Sequence, residues 1–297
     1  MAGPRSALTP TEVDTYLARL GIERSEATAD LAGLSRIHRT HLERIPFENL
    51  DIVFGGGVEH DRDAAIVKIL ADVPPPGGQQ HDDPPRGAGR GGWCFELNGS
   101  LALLLEALGF DVRLLGAAVL LGGPSEIVEH LLLEVSSPDL APHLADVGFG
   151  NSFDLPLALN TPGAQAAGSG VFELIGSPQG TTVTRHVGGV PEALLRFKRV
   201  AHSFDDFGPI ARSMQTDPDK HWRSKPFATR RLTDAEVETD VEQGDAVGVR
   251  RVTLLHDRIK IERNGHLDER LVAPGEWDRA LADWFVMTRP GPWPTAT

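Results

Sequence analysis

Of cysteine and tyrosine the 297-residue chain holds one each, and of methionine three. A single cysteine closes no disulfide within the chain, so a reducing, cytoplasmic setting is the simplest expectation. No apolar run approaches the ~18 residues a membrane-spanning helix needs. The stretch Met1-Ala2-Gly3-Pro4-Arg5-Ser6 also lacks the apolar core of a signal peptide. Positive charge is scarce as well: 29 Lys and Arg stand against 42 Asp and Glu, a net charge of −13. That argues against a nucleic-acid partner, which wants a basic face, but does not exclude a small anionic ligand held by a local cluster. What is present, 40% hydrophobic and 24% charged residues, is ordinary for a globular protein. The length exceeds what one compact core usually takes and predicts two or three subdomains.

The lone cysteine sits in Arg90-Gly91-Gly92-Trp93-Cys94-Phe95-Glu96-Leu97-Asn98. Two glycines break the preceding structure. Then Cys94, Leu97, Leu101, Leu104, Leu105 and Leu108 recur at helical spacing up to Gly109. The cysteine therefore falls on the first turn of a helix, on the same inward face as the leucines. There it meets backbone N–H groups without helical partners and the positive end of the helix dipole, both of which favour a thiolate. Lone cysteines are most often small buried hydrophobes. The glycine-preceded helix start, an aromatic residue on each side, and histidines and aspartates downstream shift the reading toward a nucleophile.

Upstream, Thr9-Pro10-Thr11-Glu12 reads as a helix start in which either threonine can cap. Val13, Tyr16, Leu17 and Leu20 form its apolar stripe, ending at Gly21. A second stripe, Leu31, Leu34, Ile37, His38, His41 and Leu42, runs to the Ile45-Pro46 break. His38 and His41 share a helix face, but with no third ligand nearby they read as packing or surface histidines, not a metal site. In Ile45-Pro46-Phe47-Glu48-Asn49-Leu50-Asp51, the polar pair between Phe47 and Leu50 suggests partial burial of Glu48 and Asn49. A buried Glu48 needs a partner, and Arg90, paired bidentately, would fix the glycine turn under the cysteine; two solvated charges are the alternative. Residues 74–89, rich in Pro and Gly, read as a loop or partly disordered insertion that feeds into Arg90.

Strands are expected at residues 111–121, 127–135, 171–175, 181–186 and 194–200, which together suggest a small sheet or barrel. His130 lies within the second of these, and Asp146 follows a short strand before the glycine turn Gly148-Phe149-Gly150. Residues 214–230 read as irregular or a short helix, and residues 250–255 with 258–263 as a hairpin. Trp277, Leu281, Trp284 and Phe285 mark a closing amphipathic helix. A thiolate nucleophile needs a base, and the base an orienting carboxylate. Spacing alone leaves the choice open. His130 and Asp146 fit, while His143, read as lying in a surface loop, is the rival base, and Asp139 and Asp154, in weaker surroundings, are the rival acids.

Residues 90–98 resemble the active-site signature of the arylamine N-acetyltransferase family. Ile45-Pro46-Phe47-Glu48-Asn49-Leu50 resembles its N-terminal motif. His130-Leu131-Leu132-Leu133-Glu134-Val135 and Asp146-Val147-Gly148-Phe149-Gly150 resemble its histidine and aspartate segments, in the expected order. Met214-Gln215-Thr216-Asp217-Pro218 through His221-Trp222 matches more loosely, with Trp222 where the family more often shows Phe. The resemblance runs from about Leu8 to Met287. It implies an α+β fold in three parts, drawn here as residues 1–109, 110–213 and 214–297: an N-terminal helical bundle carrying the cysteine, a central β-barrel, and a C-terminal α/β lid. It also implies a Cys94–His130–Asp146 triad on a cysteine-protease-like core.

The implied activity is ping-pong acetyl transfer from acetyl-CoA, a cosubstrate and not a resident cofactor, to an arylamine or arylhydrazine, in xenobiotic metabolism. Phe149, Trp93 and Phe47 are the candidate walls for the arene, with core packing as the alternative. Arg90, Glu48 and Asn98 would support the site. Gly122 and Gly123 lie near where family members receive CoA phosphates; an ordinary hairpin turn is the competing reading. No metal, nucleic acid or membrane partner is expected, and homo-oligomerisation is left open. The same motifs also fit an ansamycin-type amide synthase, which releases a polyketide from a carrier protein. A cysteine hydrolase and a binding protein on this scaffold are further alternatives.

Overall fold

The computed structural model describes residues 7–71, 90–187, 189–217, 220–238 and 249–293. The Pro/Gly-rich stretch 74–89 lies outside them. Five helices come first: α1 (Pro10–Leu20), α2 (Leu31–Arg44), α3 (Leu50–Phe54), α4 (Arg62–Leu70) and α5 (Cys94–Ala107), with a two-residue strand β1 (Phe47–Glu48) between α2 and α3. Thr9, not Thr11, caps α1: its hydroxyl accepts the Glu12 N–H and the Glu12 carboxylate accepts the Thr9 N–H. Gly21 closes that helix in the left-handed conformation (φ 67°).

Helix α5 departs from the expected one-sided leucine face. Every residue from Cys94 to Leu105 is buried, because the helix runs through the main core between the other helices and the central sheet. A helix covered on all sides has no apolar stripe to read.

The central sheet contains β2 (Asp111–Val119), β3 (Val128–Ser137), β4 (Leu140–Ala145), β5 (Leu157–Ala158), β6 (Ala164–Ala166), β7 (Val171–Ser177), β8 (Gly180–Val187) and β9 (Val190–His202). Its order is β5-β4-β3-β2-β9-β8-β7-β6, with antiparallel neighbours throughout. The two end strands meet through a side chain. Gln165 of β6 accepts the Ala158 N–H (2.8 Å) and donates to the Ala158 carbonyl (3.0 Å), so its amide stands in for a ladder partner and brings the sheet close to a closed barrel. Leu115, Leu132, Phe153, Phe172, Val183 and Phe197 fill the interior. His143 is part of β4 and nearly buried, which corrects its reading as a surface-loop residue.

The C-terminal part begins with α6 (Gly208–Thr216). It continues through β10 (Ala228–Arg231), α7 (Asp234–Glu238), β11 (Arg250–Leu254), β12 (Arg258–Arg263), β13 (His266–Leu271) and α8 (Pro274–Phe285). A five-stranded antiparallel sheet runs β1-β10-β11-β12-β13, so the Phe47–Glu48 pair belongs to it as an edge strand. Its core joins Leu50 and Phe54 of α3 to Val252, Ile259, Trp277 and Leu281.

The β11–β12 hairpin and the closing helix lie where the pattern put them. Strand β10 was hidden because Arg230 and Arg231 look solvent-facing; both are buried on carboxylates, Glu236 for one and Asp154 with Glu43 for the other. Strand β13 was hidden because all six of its residues are exposed, so no alternation marks it.

Candidate active site

Strand β1 lies beside the glycine turn. The Gly92 N–H donates to the Pro46 carbonyl (3.2 Å) and the Glu48 N–H to the Gly92 carbonyl (2.9 Å). A Cβ on Gly91 would stand 2.0 Å from the Pro46 oxygen, so only glycine lets the two segments come this close. The turn delivers Cys94 to the first position of α5, where it is 5% exposed and a free thiol.

Below that helix start sits a part-buried ion cluster. Arg90 reaches Glu48 at 2.8 Å with one nitrogen and Asp51 at 3.2 Å with another. The fork therefore bridges two carboxylates; it does not grip Glu48 bidentately. Lys68 of α4 joins them, 2.7 Å from Asp51 and 2.8 Å from Glu96. Glu96 also accepts the Trp93 N–H (3.1 Å) and so caps α5 at the cysteine. Burial holds the Glu96 carboxyl above its usual range despite Lys68 beside it. Burial also works on Asp51, but there Lys68 and then Arg90 outweigh it, and that carboxyl lies below the usual range.

His130 comes from β3 and Asp146 directly follows β4; they are 3% and 1% exposed. His130 Nε2 and Asp146 Oδ2 are 2.9 Å apart, and the Cys94 side chain is close enough to the ring to act on its charge. Burial pulls the imidazole pKa down, but Asp146 and then Cys94 outweigh it and raise it to about 10. Three side chains far apart in sequence thus come together in a dry site.

The acid is held from several sides. Asp146 Oδ1 accepts from Asn98 Nδ2 (2.8 Å) and from the Gly148 N–H (2.8 Å), while Asn98 Oδ1 accepts the Val147 N–H (3.0 Å). Asn98 is one turn beyond Cys94 on α5, so a single helix carries both the thiol and a clamp on the acid. A Cβ on Gly148 would sit 2.7 Å from the Cys94 Cα, so that segment packs directly on the helix start.

The Phe149 ring stands edge-on to His130 at 5.5 Å. Phe47 is buried against Trp222 (5.8 Å) and Phe227 (5.4 Å), and Trp93 against Phe95 (5.1 Å). Gly122 and Gly123 lie in the β2–β3 connection, where the Gly123 N–H is taken by the Leu120 carbonyl (3.0 Å).

Of the rivals, His143 Nδ1 bonds its own strand at the Ala141 carbonyl (2.7 Å), and Asp139 is exposed in a turn. Asp154 is in far stronger surroundings than expected: it is buried and 3.0 Å from Arg231. Sequence reasoning missed Lys68, Asp51, Phe227 and Arg231 altogether and read His38 as a packing or surface histidine. The acidic Asp51 directly after the Phe47-Glu48-Asn49-Leu50 motif was the one available signal. Among the described residues no group of three His, Cys, Asp or Glu is arranged to hold a metal, and no helix is long and apolar enough to cross a membrane.

The family model described as N-acetyltransferase matches residues 86–240, just over half of the chain. The arylamine N-acetyltransferase pineal gland isozyme NAT-3 of Gallus gallus is 32% identical over 169 residues, 55% of this chain and 52% of that protein. The arylamine N-acetyltransferase / N-hydroxyarylamine O-acetyltransferase of Salmonella typhimurium is 35% identical over 159 residues, 52% of this chain and 48% of that one. The aligned part thus spans about half the length of these relatives. The structure of Mycobacterium marinum arylamine N-acetyltransferase in complex with CoA superposes with a TM-score of 0.74 at 25% identity, covering 92% of both chains. Sequence kinship around the cysteine and a shared fold across nearly the whole length agree: the chain belongs to the arylamine N-acetyltransferase family.

Proposed function

We propose that the chain moves an acetyl group from acetyl-CoA to an arylamine or arylhydrazine by a ping-pong route, with Cys94 as nucleophile, His130 as base and acid, and Asp146 as the orienting carboxylate. The observation that carries this reading is the buried His130–Asp146 pair (2.9 Å) with Cys94 beside it at the start of α5. The CoA bound by the Mycobacterium marinum relative supports CoA as the carrier.

The raised affinity of His130 for protons suits it to take the Cys94 proton as the sulfur attacks. The sulfur attacks the thioester carbonyl, and the negative oxygen is received by N–H groups at the start of α5. The C–S bond to CoA then breaks, and the departing thiolate takes the proton from His130. One thioester replaces another, so this half is nearly balanced. Acetylation removes the Cys94 contribution that helped hold the proton, which leaves the imidazole readier to act as a base. The amine lone pair attacks the acetyl-cysteine, its proton passes to His130, and the Cys94 thiolate leaves. An aromatic amine is mostly uncharged near neutral pH, so its lone pair is available, and formation of the amide runs downhill.

Phe149 beside His130 and Phe47 among Trp222 and Phe227 are the proposed walls for the arene, with Trp93, the residue before the nucleophile, as the third. Arg90, Glu48 and Asn98 support the site, and Gly122, with its neighbour Gly123, is the proposed contact for a CoA phosphate. The division into residues 1–109, 110–213 and 214–297 is supported by three apolar cores, although α3 contributes to the C-terminal one and β3, β4 and α6 contribute to the N-terminal one. A cytoplasmic setting and a role in xenobiotic metabolism belong to the same proposal.

Intact mass after incubation with acetyl-CoA and no amine tests it. One added acetyl group is expected, absent in Cys94→Ser and discharged by an arylamine or hydrazide. No adduct would overturn the reading in favour of the amide synthase; discharge by water at the same rate would favour the hydrolase.

A further inference from the structure

His38, on α2, is wholly buried, and its ring lies flat against Phe153 at 5.7 Å. Its Nε2 is 3.1 Å from the backbone nitrogen of Asp146 and its Nδ1 is 3.0 Å from the backbone oxygen of Asp154. The chemistry of the two partners fixes the tautomer. A backbone N–H can only donate and a carbonyl can only accept, so Nε2 is bare and Nδ1 carries the hydrogen. The ring is a neutral bridge with both nitrogens used.

We propose that His38 is a positioning residue for acetyl transfer: by accepting the Asp146 N–H while anchored to the Asp154 carbonyl, it sets the backbone from which the Asp146 carboxylate reaches His130. The proposal rests on Asp146 being the acid of the triad. Asn98 and Gly148 satisfy Oδ1 and His130 takes Oδ2, but the direction of the side chain follows from its backbone, and at the Asp146 nitrogen His38 is the partner. The anchor is itself tied down. The Asp154 carboxylate is 3.0 Å from Arg231 of β10, and Arg231 also pairs with Glu43, five residues beyond His38 on the same helix. Helix α2, the 146–154 segment and the C-terminal sheet are thereby locked around one imidazole. Burial lowers the His38 pKa below its ordinary value, so the bridge stays neutral at neutral pH. A proton on Nε2 would face the Asp146 N–H and break it.

Three variants separate positioning from packing. Gln at position 38 keeps an acceptor near the place of Nε2, Asn keeps polarity only near Nδ1, and Phe keeps the ring with neither nitrogen. Cys94 acetylation by acetyl-CoA, followed by intact mass against time, is expected to slow about a hundredfold in His38→Asn and His38→Phe, the scale of a misplaced catalytic group. His38→Gln is expected to retain most of the rate. The alkaline limb of Cys94 alkylation by iodoacetamide, set by loss of the His130 proton, should move to lower pH in the Asn and Phe variants and stay in the Gln variant. A change in packing alone would not sort the variants this way. Acetylation of His38→Asn at the wild-type rate, an unmoved limb, or Gln as slow as Asn overturns the proposal.

Asp146→Asn is measured alongside. If it acetylates normally, the triad reading fails; if it is slow while His38→Asn is fast, only the role of His38 fails. For variants that do not fold, nitrogen NMR of the wild-type imidazoles decides. His38 is expected as the Nδ1–H tautomer at neutral pH, and an Nε2–H or doubly protonated ring there overturns the proposal.

Discussion

The thiol end and the acid end of the proposed triad are supported in opposite ways. Beneath Cys94 the support is charge: Glu48, Asp51 and Glu96 share Lys68 and Arg90 in a half-dry cluster. Around Asp146 the support is neutral: the Asn98 amide, the Gly148 N–H and the His38 bridge. The difference has a chemical purpose. A Lys or Arg on Asp146 would neutralise the carboxylate and compete with His130 for it. Neutral groups fix its position and leave its charge to stabilise the imidazolium. The cluster under the helix has no such duty. It holds together the turn, α4 and the start of α5, and for that task charge serves well provided every member is present.

The sharpest way to break this contrast is Asp146→Asn. The amide still fills the space and still accepts from Asn98 or Gly148, but it cannot stabilise a protonated His130. Acetylation of Cys94 is expected to fall by about 10³–10⁴-fold with the circular dichroism spectrum unchanged, as for triads that keep their geometry and lose the carboxylate. A loss of less than about tenfold in stopped-flow acetylation would show that geometry alone suffices.

The two supports should also fail at opposite ends of the pH scale. His130 in the folded protein titrates at about 10, above the ordinary imidazole value of about 6.5. Its contribution to stability is therefore complete below about pH 6.5 and is lost as pH rises through about 10. Asp51 is shifted the other way, so its contribution is complete above the ordinary carboxylate value and is lost as pH falls through the depressed one. Urea midpoints across pH should decline on both sides. Asp146→Asn is expected to flatten the alkaline decline and leave the acid one, and a flattened acid arm would show that the supports are not separate.

How much of this was readable beforehand follows the same divide. The thiol end was legible because it is local: glycines, cysteine and helix spacing lie in one stretch, and Glu48 and Arg90 advertise a pair. Even there Lys68 was invisible, since one lysine on a short helix looks like any solvated charge until α4 packs on α5. The acid end is assembled from α2, α5, β3 and the turn after β4, so no window of sequence contains it. Residue type misled as well. His38 read as a packing or surface histidine because a neutral buried histidine leaves no pattern, and Asp154 read as weakly placed because its partner, Arg231, lies in a strand that looks polar. Long-range polar contacts depend on register and packing, which periodicity does not encode.

Lys68→Met probes the charged support alone. It leaves Glu48, Asp51 and Glu96 facing one another with Arg90 as their remaining cation, and strands a buried carboxylate beside the cap of α5. A loss of about 3 kcal/mol in unfolding free energy is expected from the uncompensated buried charge, seen as a fall in Tm of roughly 6–10 °C. The effect on the acetylation rate at a temperature where the variant is folded should be smaller than that of Asp146→Asn. Equal losses of rate would mean that the cluster tunes the chemistry as well as holding the turn.

The mildest change, Arg90→Lys, asks whether the charged support needs shape or only charge. Arg90 places one guanidinium nitrogen on Glu48 and another on Asp51, while its Nε makes no bond among the described residues. A lysine keeps the positive charge but offers a single ammonium, which can sit on one carboxylate and lean toward the other. Glu48 keeps its bond from the Leu50 N–H (2.6 Å), so neither acid is orphaned. The expected cost is about 1–2 kcal/mol, one charge-assisted hydrogen bond's worth, with acetylation within about threefold of wild type because the Asp146 side is untouched. Calorimetry and single-turnover acetylation measure the two quantities. A cost matching that of Lys68→Met would mean that the fork geometry, not the balance of charge, holds the turn beneath the cysteine.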